Sequence, residues 1–220
     1  MTIISNLQFI LRQLPESVKL VAVSKTKSSE QILEAYQAGQ RLFGENKVQE
    51  LLSKWQSLPK DIEWHFIGHL QSNKVKPIIP FITLIQGVDS FRLLSAINKE
   101  AEKFGRVVSV FLEFHIAEEA SKFGLSLPEA EEMLGSPEWK SFNHIAVCGV
   151  MGMATFTSDE VVVKTEFERL SSIFMRLKEK YFRNTENFCE RSMGMSDDYQ
   201  IAISAGSTLV RIGSKIFGNR

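Results

Sequence analysis

Residues 21–27 read VAVSKTK: an apolar run that starts at Leu20 is followed directly by Lys25 and, two residues later, by Lys27. A short run rich in β-branched residues is typical of a buried strand. Most lysines are solvated surface residues, so a strand of this kind that ends on a lysine needs an explanation. The rest of the chain has to show what surrounds Lys25.

Seven further stretches resemble the first and alternate with amphipathic helices. Eight strands, each followed by a helix or a helical turn, predict one closed parallel (β/α)8 TIM barrel over residues 1–220. An open doubly wound α/β sheet is the rival, although such sheets usually have fewer strands. The predicted strands are LVAVS (20–24), RLFGEN (near 41–44), EWHFIG (63–68), LIQGVD (84–89), SVFLEFHI, HIAVCGVM, ENFCERSM and TLVRIGS.

Caps and helix breakers predict where helices begin and end. In SEQILEAYQAG, Ser29 is expected to cap the amino end and Gly39 to end the helix. The longest helix, SDEVVVKTEFERLSSIFMRLKEKYF, is expected to open on Ser158, with acids in its first turn and lysines in its last. Ser196 with the two aspartates after it is expected to begin a short helix.

Composition and charge argue against several classes of partner. A hydrophobic share of 44% is enough for one sizeable core in 220 residues. The 26 basic residues equal the 26 acidic ones, so no overall field favours nucleic acid or an anionic membrane. No stretch reaches the length of a membrane span, and the amino-terminal segment lacks a secretory leader. Cys148 and Cys189 are too few for a disulfide framework, which predicts a cytoplasmic protein with buried thiols on adjacent strands.

Two glycine-serine loops follow the last two predicted strands, RSMGMSDD (191–198) and VRIGSKIFG (210–218). Glycines let backbone amides approach a phosphate, and hydroxyl groups can donate to it. The loops after strands seven and eight form the usual phosphate site of this barrel. Lys25 is expected at the same mouth, where a lysine near other cations can lose its proton and attack an aldehyde. The residues assigned to the phosphate are Ser192, Gly194, Gly213 and Ser214.

Five blocks of sequence, taken in order, resemble the pyridoxal phosphate homeostasis proteins, the YggS or PROSC family. The blocks are VAVSKTK, RLFGENKVQE, WHFIGHLQSNKVK, SMGMSDD and AGSTLVRIGSKIFG. The match covers nearly the whole chain, and the set of five is far more specific than any one block. Members of this family are barrels related to the barrel domain of alanine racemase and of fold-type III decarboxylases. They bind pyridoxal 5′-phosphate (PLP) and have no established catalytic turnover.

The resemblance implies a role for each of several residues. Lys25 matches the lysine that carries PLP as an internal aldimine, which would explain a lysine at the end of the first strand. Arg211 matches the arginine that faces the pyridine nitrogen. Because a guanidinium accepts no hydrogen bond, it would keep that nitrogen unprotonated and weaken the cofactor as an electron sink. Asn46 matches an asparagine close to the cofactor. The family's phosphate-binding positions match Ser192, Gly213 and Ser214.

The implied function is a non-catalytic PLP-binding protein that carries or buffers the cofactor and affects amino-acid and keto-acid balance. A lone barrel without an evident swapped domain is expected to be a monomer. Two alternatives remain open. One is an amino-acid racemase or decarboxylase of the same fold type, although such racemases add a second acid or base from a further domain. The other is a barrel that uses Lys25 as the Schiff-base lysine of an aldolase acting on a sugar phosphate.

Departures from the family pattern lie near the predicted mouth. His115 stands where the family commonly has asparagine, and GVMGMAT (149–155) replaces a motif that usually leads into proline. Both concern the outer wall of the pocket rather than the cofactor anchor. His65 and His69 are four residues apart, but WHFIGH reads as strand and loop without the helical glutamate of a zinc motif. They are expected to pack or form hydrogen bonds, not to hold a metal.

Overall fold

The eight predicted strands all form in the computed structural model, which describes residues 2–117 and 123–218. The strands are parallel and pair in chain order, and β1 also pairs with β8, which closes the barrel. The prediction of a (β/α)8 barrel is confirmed, and the open sheet is wrong because an open sheet leaves two unpaired edges. The strands are Lys19–Val23 (β1), Leu42–Glu45 (β2), Glu63–Phe66 (β3), Leu84–Val88 (β4), Val108–Phe114 (β5), Ile145–Gly152 (β6), Glu190–Ser192 (β7) and Leu209–Ile212 (β8).

The helices lie outside the barrel, and a 3₁₀ turn at Ser72–Lys74 joins β3 to β4. A second 3₁₀ turn lies at Trp139–Ser141, before β6. Among the described residues, no helix has both the length and the apolar character needed to cross a bilayer. The α-helices are Ile3–Gln13 (α1), Ser29–Gln37 (α2), Val48–Ser57 (α3), Phe91–Lys103 (α4), Leu127–Gly135 (α5), Glu160–Lys180 (α6), Tyr199–Ser204 (α7) and Ser214–Phe217 (α8).

The predicted caps of two helices are each wrong by one residue. Ser28, not Ser29, caps α2: its hydroxyl accepts from the Gln31 amide, and the Gln31 side chain accepts from the Ser28 amide. Asp159, not Ser158, caps α6 and accepts two amides of its first turn. In both cases the capping residue has an extended backbone, which allows its side chain to reach back over the first turn.

The seventh strand is shorter than predicted, and this changes the setting of the cysteines. Cys189 precedes the three-residue β7 and is exposed, whereas Cys148 on β6 is half-buried. The Cys189 amide donates to the Cys148 carbonyl at 3.0 Å, so the two residues lie side by side as expected. The prediction of two buried thiols is wrong, because both cysteines line an open cavity at the amino ends of the strands.

The first helix, α1, was not predicted from the sequence patterns. It supports the last helix of the barrel, α8. The helix packs against α8, and the Asn6 side chain donates to the Ile216 carbonyl at 3.0 Å. The loop that enters α8 from β8 is therefore held in place by the first helix of the chain.

Two apolar clusters form the core. The larger one lies between strands and helices, and the smaller one lies in the barrel interior. Val21 of β1 belongs to the interior cluster. Because side chains alternate across a strand, Val23 and Lys25 continue the interior row of Val21 toward the carboxyl end of the barrel. The interior cluster also contains Leu84, Phe111, Met151 and Leu209.

Candidate functional site

A cleft of about 550 Å³ opens at the carboxyl ends of the barrel strands. A larger cavity, of about 710 Å³, lies at the amino ends, and none of the predicted site residues line it. Function in (β/α)8 barrels gathers at the carboxyl ends, where the loops after the strands meet. The smaller cleft is therefore the candidate site. Five of the seven predicted residues line it, namely Lys25, Asn46, Arg211, Gly213 and Ser214.

Lys25 lies two residues beyond the end of β1 and is half-buried in the wall of the cleft. Its place follows from the interior row that begins at Val21, since Val23 also lines the cleft. Lys27 lines the same cleft, and its ammonium donates to the Gly218 carbonyl at 3.0 Å. The first loop thus brings two lysines to the mouth, one of which caps the carboxyl end of α8.

The loop between β8 and α8 brings three predicted residues together. Arg211 is the third residue of β8, and Gly213 and Ser214 follow the strand. A Cβ atom on Gly213 would lie 3.0 Å from the carbonyl oxygen of Val23, so the close approach of β1 favours glycine here. The pairing of β8 with β1 therefore sets the distance between the Lys25 loop and the Ser214 loop.

Arg211 is a fixed, buried cation. Its Nη1 donates to the carbonyl and the hydroxyl of Ser192 at 2.8 and 2.6 Å, and its Nη2 donates to the Gly152 carbonyl at 3.1 Å. Burial lowers the pKa of Arg211 to about 10, while Glu113 and Asp198 act in the opposite direction. A pKa of this size leaves the guanidinium charged at neutral pH.

Ser192 and Gly194 do not line the cleft. Ser192 is fully buried, and its hydroxyl donates to Gln86 Oε1 at 2.6 Å while it accepts from Arg211. Gly194 has φ +96°, and its carbonyl accepts from the Arg211 amide at 2.9 Å. A Cβ at Gly194 would lie 2.6 Å from Ala202 Cβ, so only glycine fits. Both residues thus contact Arg211 and hold it in position.

Ser196 lines the cleft, although the sequence did not assign it to the phosphate. Its hydroxyl accepts from the Gly213 amide at 3.3 Å, which joins the loop after β7 to the loop after β8. SMGMS offers two hydroxyl groups, and the turn at Gly194 decides which of them faces the mouth. Spacing alone did not contain that information.

The outer wall of the cleft comes partly from GVMGMAT (149–155) and from the residue that follows it. Met153 of GVMGMAT and the exposed Phe156 line the cleft. His115 follows β5 and is half-buried, but it is not a lining residue. Asn46 follows β2 and contributes the opposite part of the lining. Met153 therefore belongs to the surface that a ligand would meet.

Glu113 of β5 is a buried acid that the sequence analysis missed. It is 4% exposed. Burial, together with repulsion from Asp89, raises its pKa to about 7, and attraction to Arg211 opposes the shift. A glutamate in a run as apolar as SVFLEF was the available signal, because an ionisable residue in a buried strand usually has a specific role.

A line of hydrogen bonds runs through the barrel interior from the amino-end cavity to Arg211. His65 lines that cavity and its Nδ1 lies 3.0 Å from Gln86 Nε2. The Gln86 oxygen accepts from Ser192, which in turn accepts from Arg211. Burial lowers the pKa of His65 to about 4, so the ring is neutral and Nδ1 accepts from the Gln86 amide.

The two histidines have separate partners, as expected for residues that form hydrogen bonds. His65 contacts Gln86 of β4, whereas His69 Nδ1 lies 2.9 Å from Asp89 and the His69 ring stacks on Phe123. Among residues 2–117 and 123–218, no group of three or more metal-binding side chains is found.

The chain matches one family model and is similar to several curated proteins that share one name. The family model "Alanine racemase, N-terminal domain" matches residues 2–220. The pyridoxal phosphate homeostasis protein of Pasteurella multocida (strain Pm70) is 38% identical over 222 residues, covering 98% of this chain and 93% of the relative. The protein of the same name from Mus musculus is 41% identical over 213 residues, with coverages of 92% and 77%.

Solved structures agree with the sequence relatives. PipY of Synechococcus elongatus PCC7942, solved with PLP bound, has a TM-score of 0.89 at 32% identity, covering 99% of this chain and 100% of PipY. An alanine racemase of Clostridium difficile 630 shares the fold, with a TM-score of 0.73 at 16% identity. This chain covers 56% of that racemase.

The closed barrel and the cleft at its carboxyl ends define a protein of the alanine racemase N-terminal-domain type. Two pyridoxal phosphate homeostasis proteins that are 38% and 41% identical over more than nine-tenths of the chain identify the family within this class. The chain belongs to the family of pyridoxal phosphate homeostasis proteins, and the resemblance seen in the sequence is confirmed.

Proposed function

We propose that this protein binds PLP through a covalent Schiff base on Lys25 and stores or delivers the cofactor without catalytic turnover. One observation carries the proposal: the cleft brings Lys25, Arg211 and the Gly213–Ser214 loop together, although they come from opposite ends of the chain. The family relation supports it, since the similar PipY structure contains PLP.

The residues of the cleft suit the chemistry of this cofactor. PLP combines an aldehyde with a phosphate, so its site needs an amine at one end and cations or hydrogen-bond donors at the other. Lys25 offers the amine, and the hydroxyl groups of Ser196 and Ser214 offer donors for the phosphate. A volume of about 550 Å³ lies within the usual range of small-molecule sites.

Arg211 supports a role in binding rather than turnover. Bound PLP supplies a ring that withdraws electrons from carbon, most strongly when its nitrogen is protonated. Arg211 has only donors to offer and stays charged at neutral pH, so it provides no proton-accepting partner for a protonated ring nitrogen. Ser192 and Gly152 fix the guanidinium in place.

Substitution of two neighbouring lysines tests the covalent link. We expect Lys25→Ala to abolish the yellow, borohydride-reducible PLP adduct and to leave the fold intact, because Lys25 lies in a loop outside the core. Lys27→Ala, a change two residues away in the same cleft, is the matched control and should keep the adduct on Lys25. Visible spectra before and after reduction and mass spectrometry of the labelled peptide provide the readout. A full adduct in Lys25→Ala would refute the proposal.

Turnover and delivery need separate assays. Protein loaded with PLP should show no sustained racemisation or decarboxylation across a panel of L-amino acids, and it should reactivate an added PLP-dependent enzyme that has been stripped of its cofactor. Repeated turnover of any amino acid would favour the racemase or decarboxylase alternative.

We further propose that the protein acts as a cytoplasmic monomer, without nucleic acid or membrane as partner. The equal numbers of acidic and basic residues, 26 of each, argue against nucleic acid or an anionic membrane as a partner. Sedimentation equilibrium is the test, and a mass of two chains in place of 25.0 kDa would contradict the monomer.

A further inference from the structure

A buried ionic cluster lies beside the Lys25 loop, outside the lining of the cleft. Lys54 of α3 is 5% exposed, and its Nζ lies 2.8 Å from Glu45 Oε1 and 2.6 Å from Glu50 Oε1. We call these three residues the Lys54 cluster. Both glutamates belong to the block FGENKVQE, of which the cleft uses only Asn46. Buried charges are weak evidence for stability, because desolvation offsets their attraction.

The cluster holds the chain immediately before Lys25. Ser24 is fully buried, its hydroxyl donates to Glu45 Oε1 at 2.5 Å, and its carbonyl accepts from Lys54 Nζ at 2.8 Å. Burial raises the pKa of Glu45, while hydrogen bonds from Lys54 and Ser24 act against that shift. Ser24 is therefore bonded through both its side chain and its backbone.

The cluster also holds the chain immediately after Lys25. Thr26 has φ +66° and is the one residue other than glycine with a positive φ among those described. This conformation is strained for a β-branched residue and persists only where its surroundings impose it. The Thr26 amide donates to Glu50 Oε1 at 2.6 Å. Burial works against ionisation of Glu50, but hydrogen bonds from Lys54 and Thr26 lower its pKa below the ordinary value.

We propose that the Lys54 cluster is a positioning device that fixes Ser24 and Thr26 and thereby directs the Lys25 amine into the cleft. The inference rests on the proposed role of Lys25. None of the three cluster residues lines the cleft, so they act through the backbone and not on the ligand. Strain concentrated next to one lysine is the pattern expected where a side chain must be held in one direction.

Variants of Glu50 separate positioning from general stability. Glu50→Ala removes the acceptor of the Thr26 amide, Glu50→Gln keeps an acceptor of the same shape, and Gln49→Ala is an exposed control on the same helix. In cofactor-free protein we expect Glu50→Ala to speed hydrogen exchange at the Thr26 amide by at least about tenfold, with the barrel strands unchanged. Glu50→Gln and Gln49→Ala should stay close to wild type.

The second readout is capture of PLP. The rate of borohydride-trapped labelling of Lys25 should fall by about tenfold in Glu50→Ala and recover in Glu50→Gln. Because Lys54→Met alone leaves two acids without their cation, the variant of choice is Lys54→Met combined with Glu45→Gln. The exposed Lys99→Met is its control. The double variant should slow labelling of Lys25 to a similar extent.

The outcomes distinguish this inference from the proposed function. Faster exchange at Thr26 together with slower labelling of Lys25 supports positioning. Normal labelling in Glu50→Ala, or unchanged exchange at Thr26, overturns the positioning role and leaves the proposed function intact. If wild-type protein forms no adduct on Lys25, the proposed function fails, and the positioning role fails with it whatever the exchange data show.

Discussion

Glu113 is the residue whose protonation should control stability near neutral pH. Burial raises its folded pKa from 4.5 to about 7. The folded state therefore holds this proton more tightly than the unfolded state, and the resulting stabilisation is present below pH 4.5 and lost as the pH rises through 7. We expect Glu113→Gln to be more stable than wild type by at most about 3 kcal/mol at pH 8, with the gain shrinking toward pH 4.5.

Urea unfolding at pH 5 and pH 8 measures this effect. The exposed Glu132→Gln is the matched control. Equal effects of Glu113→Gln at the two pH values would show that the carboxyl ionises as easily in the barrel as in water.

The two serines of SMGMS should respond in opposite ways. Ser192→Ala removes an acceptor of Arg211 and a donor to Gln86 in the core, so we expect a loss of about 1–3 kcal/mol in the free energy of unfolding. Ser196→Ala should cost less than about 1 kcal/mol but weaken PLP binding about tenfold, since its hydroxyl lies at the cleft. Denaturant titration and PLP titration measure the two effects. The reverse ranking would place the phosphate at Ser192.

At the scale of the element, substitutions at the amino end of α2 test which serine caps the helix. Ser28→Ala removes both the acceptor of the Gln31 amide and the basis of the capping box, so we expect a loss of about 1 kcal/mol. Ser29→Ala, one residue on, lies in the first turn and should change stability by less than about 0.5 kcal/mol. Urea midpoints of the pair decide between the two caps. An equal loss in both would mean that neither serine caps the helix alone.

The short elements around the cleft depend on their neighbours more than on their own sequence. β7 has three residues and α8 has four, too few for either to be stable alone. β7 is held by β6 and β8, and α8 is held by α1 through Asn6. The loops that line the cleft beside β7 and β8 therefore rest on elements that exist only in the assembled barrel.

At the scale of the whole molecule, ligand binding should raise the stability of the barrel. PLP at one hundred times its dissociation constant should add about 2.7 kcal/mol to the free energy of unfolding, because it binds the folded state alone. Lys25→Ala should gain much less at the same concentration. Thermal unfolding measures both proteins, with pyridoxine 5′-phosphate, which lacks the aldehyde, as the control ligand. An equal gain with the control ligand would mean that the covalent bond adds nothing.

The sequence by itself determined the eight strands, the barrel class and most of the cleft. These follow from local information: the period of apolar residues, the glycine-serine loops after the last strands, and a lysine at the end of VAVSKTK. A parallel barrel places the ends of all its strands at one face, so residues far apart in the chain could be assigned to one site without knowing any distance.

Only the tertiary structure decided which side chains lie below the carboxyl-end face of the barrel and which of them contact one another. Which of Ser192 and Ser196 lines the cleft depends on the turn at Gly194. The pKa of Glu113 depends on its burial beside Asp89 and Arg211. The bonds of the Lys54 cluster join residues of β2 and α3 to the loop that follows β1. Such interactions depend on separations of a few ångströms between distant parts of the chain, and a linear pattern of residue types contains no such distances.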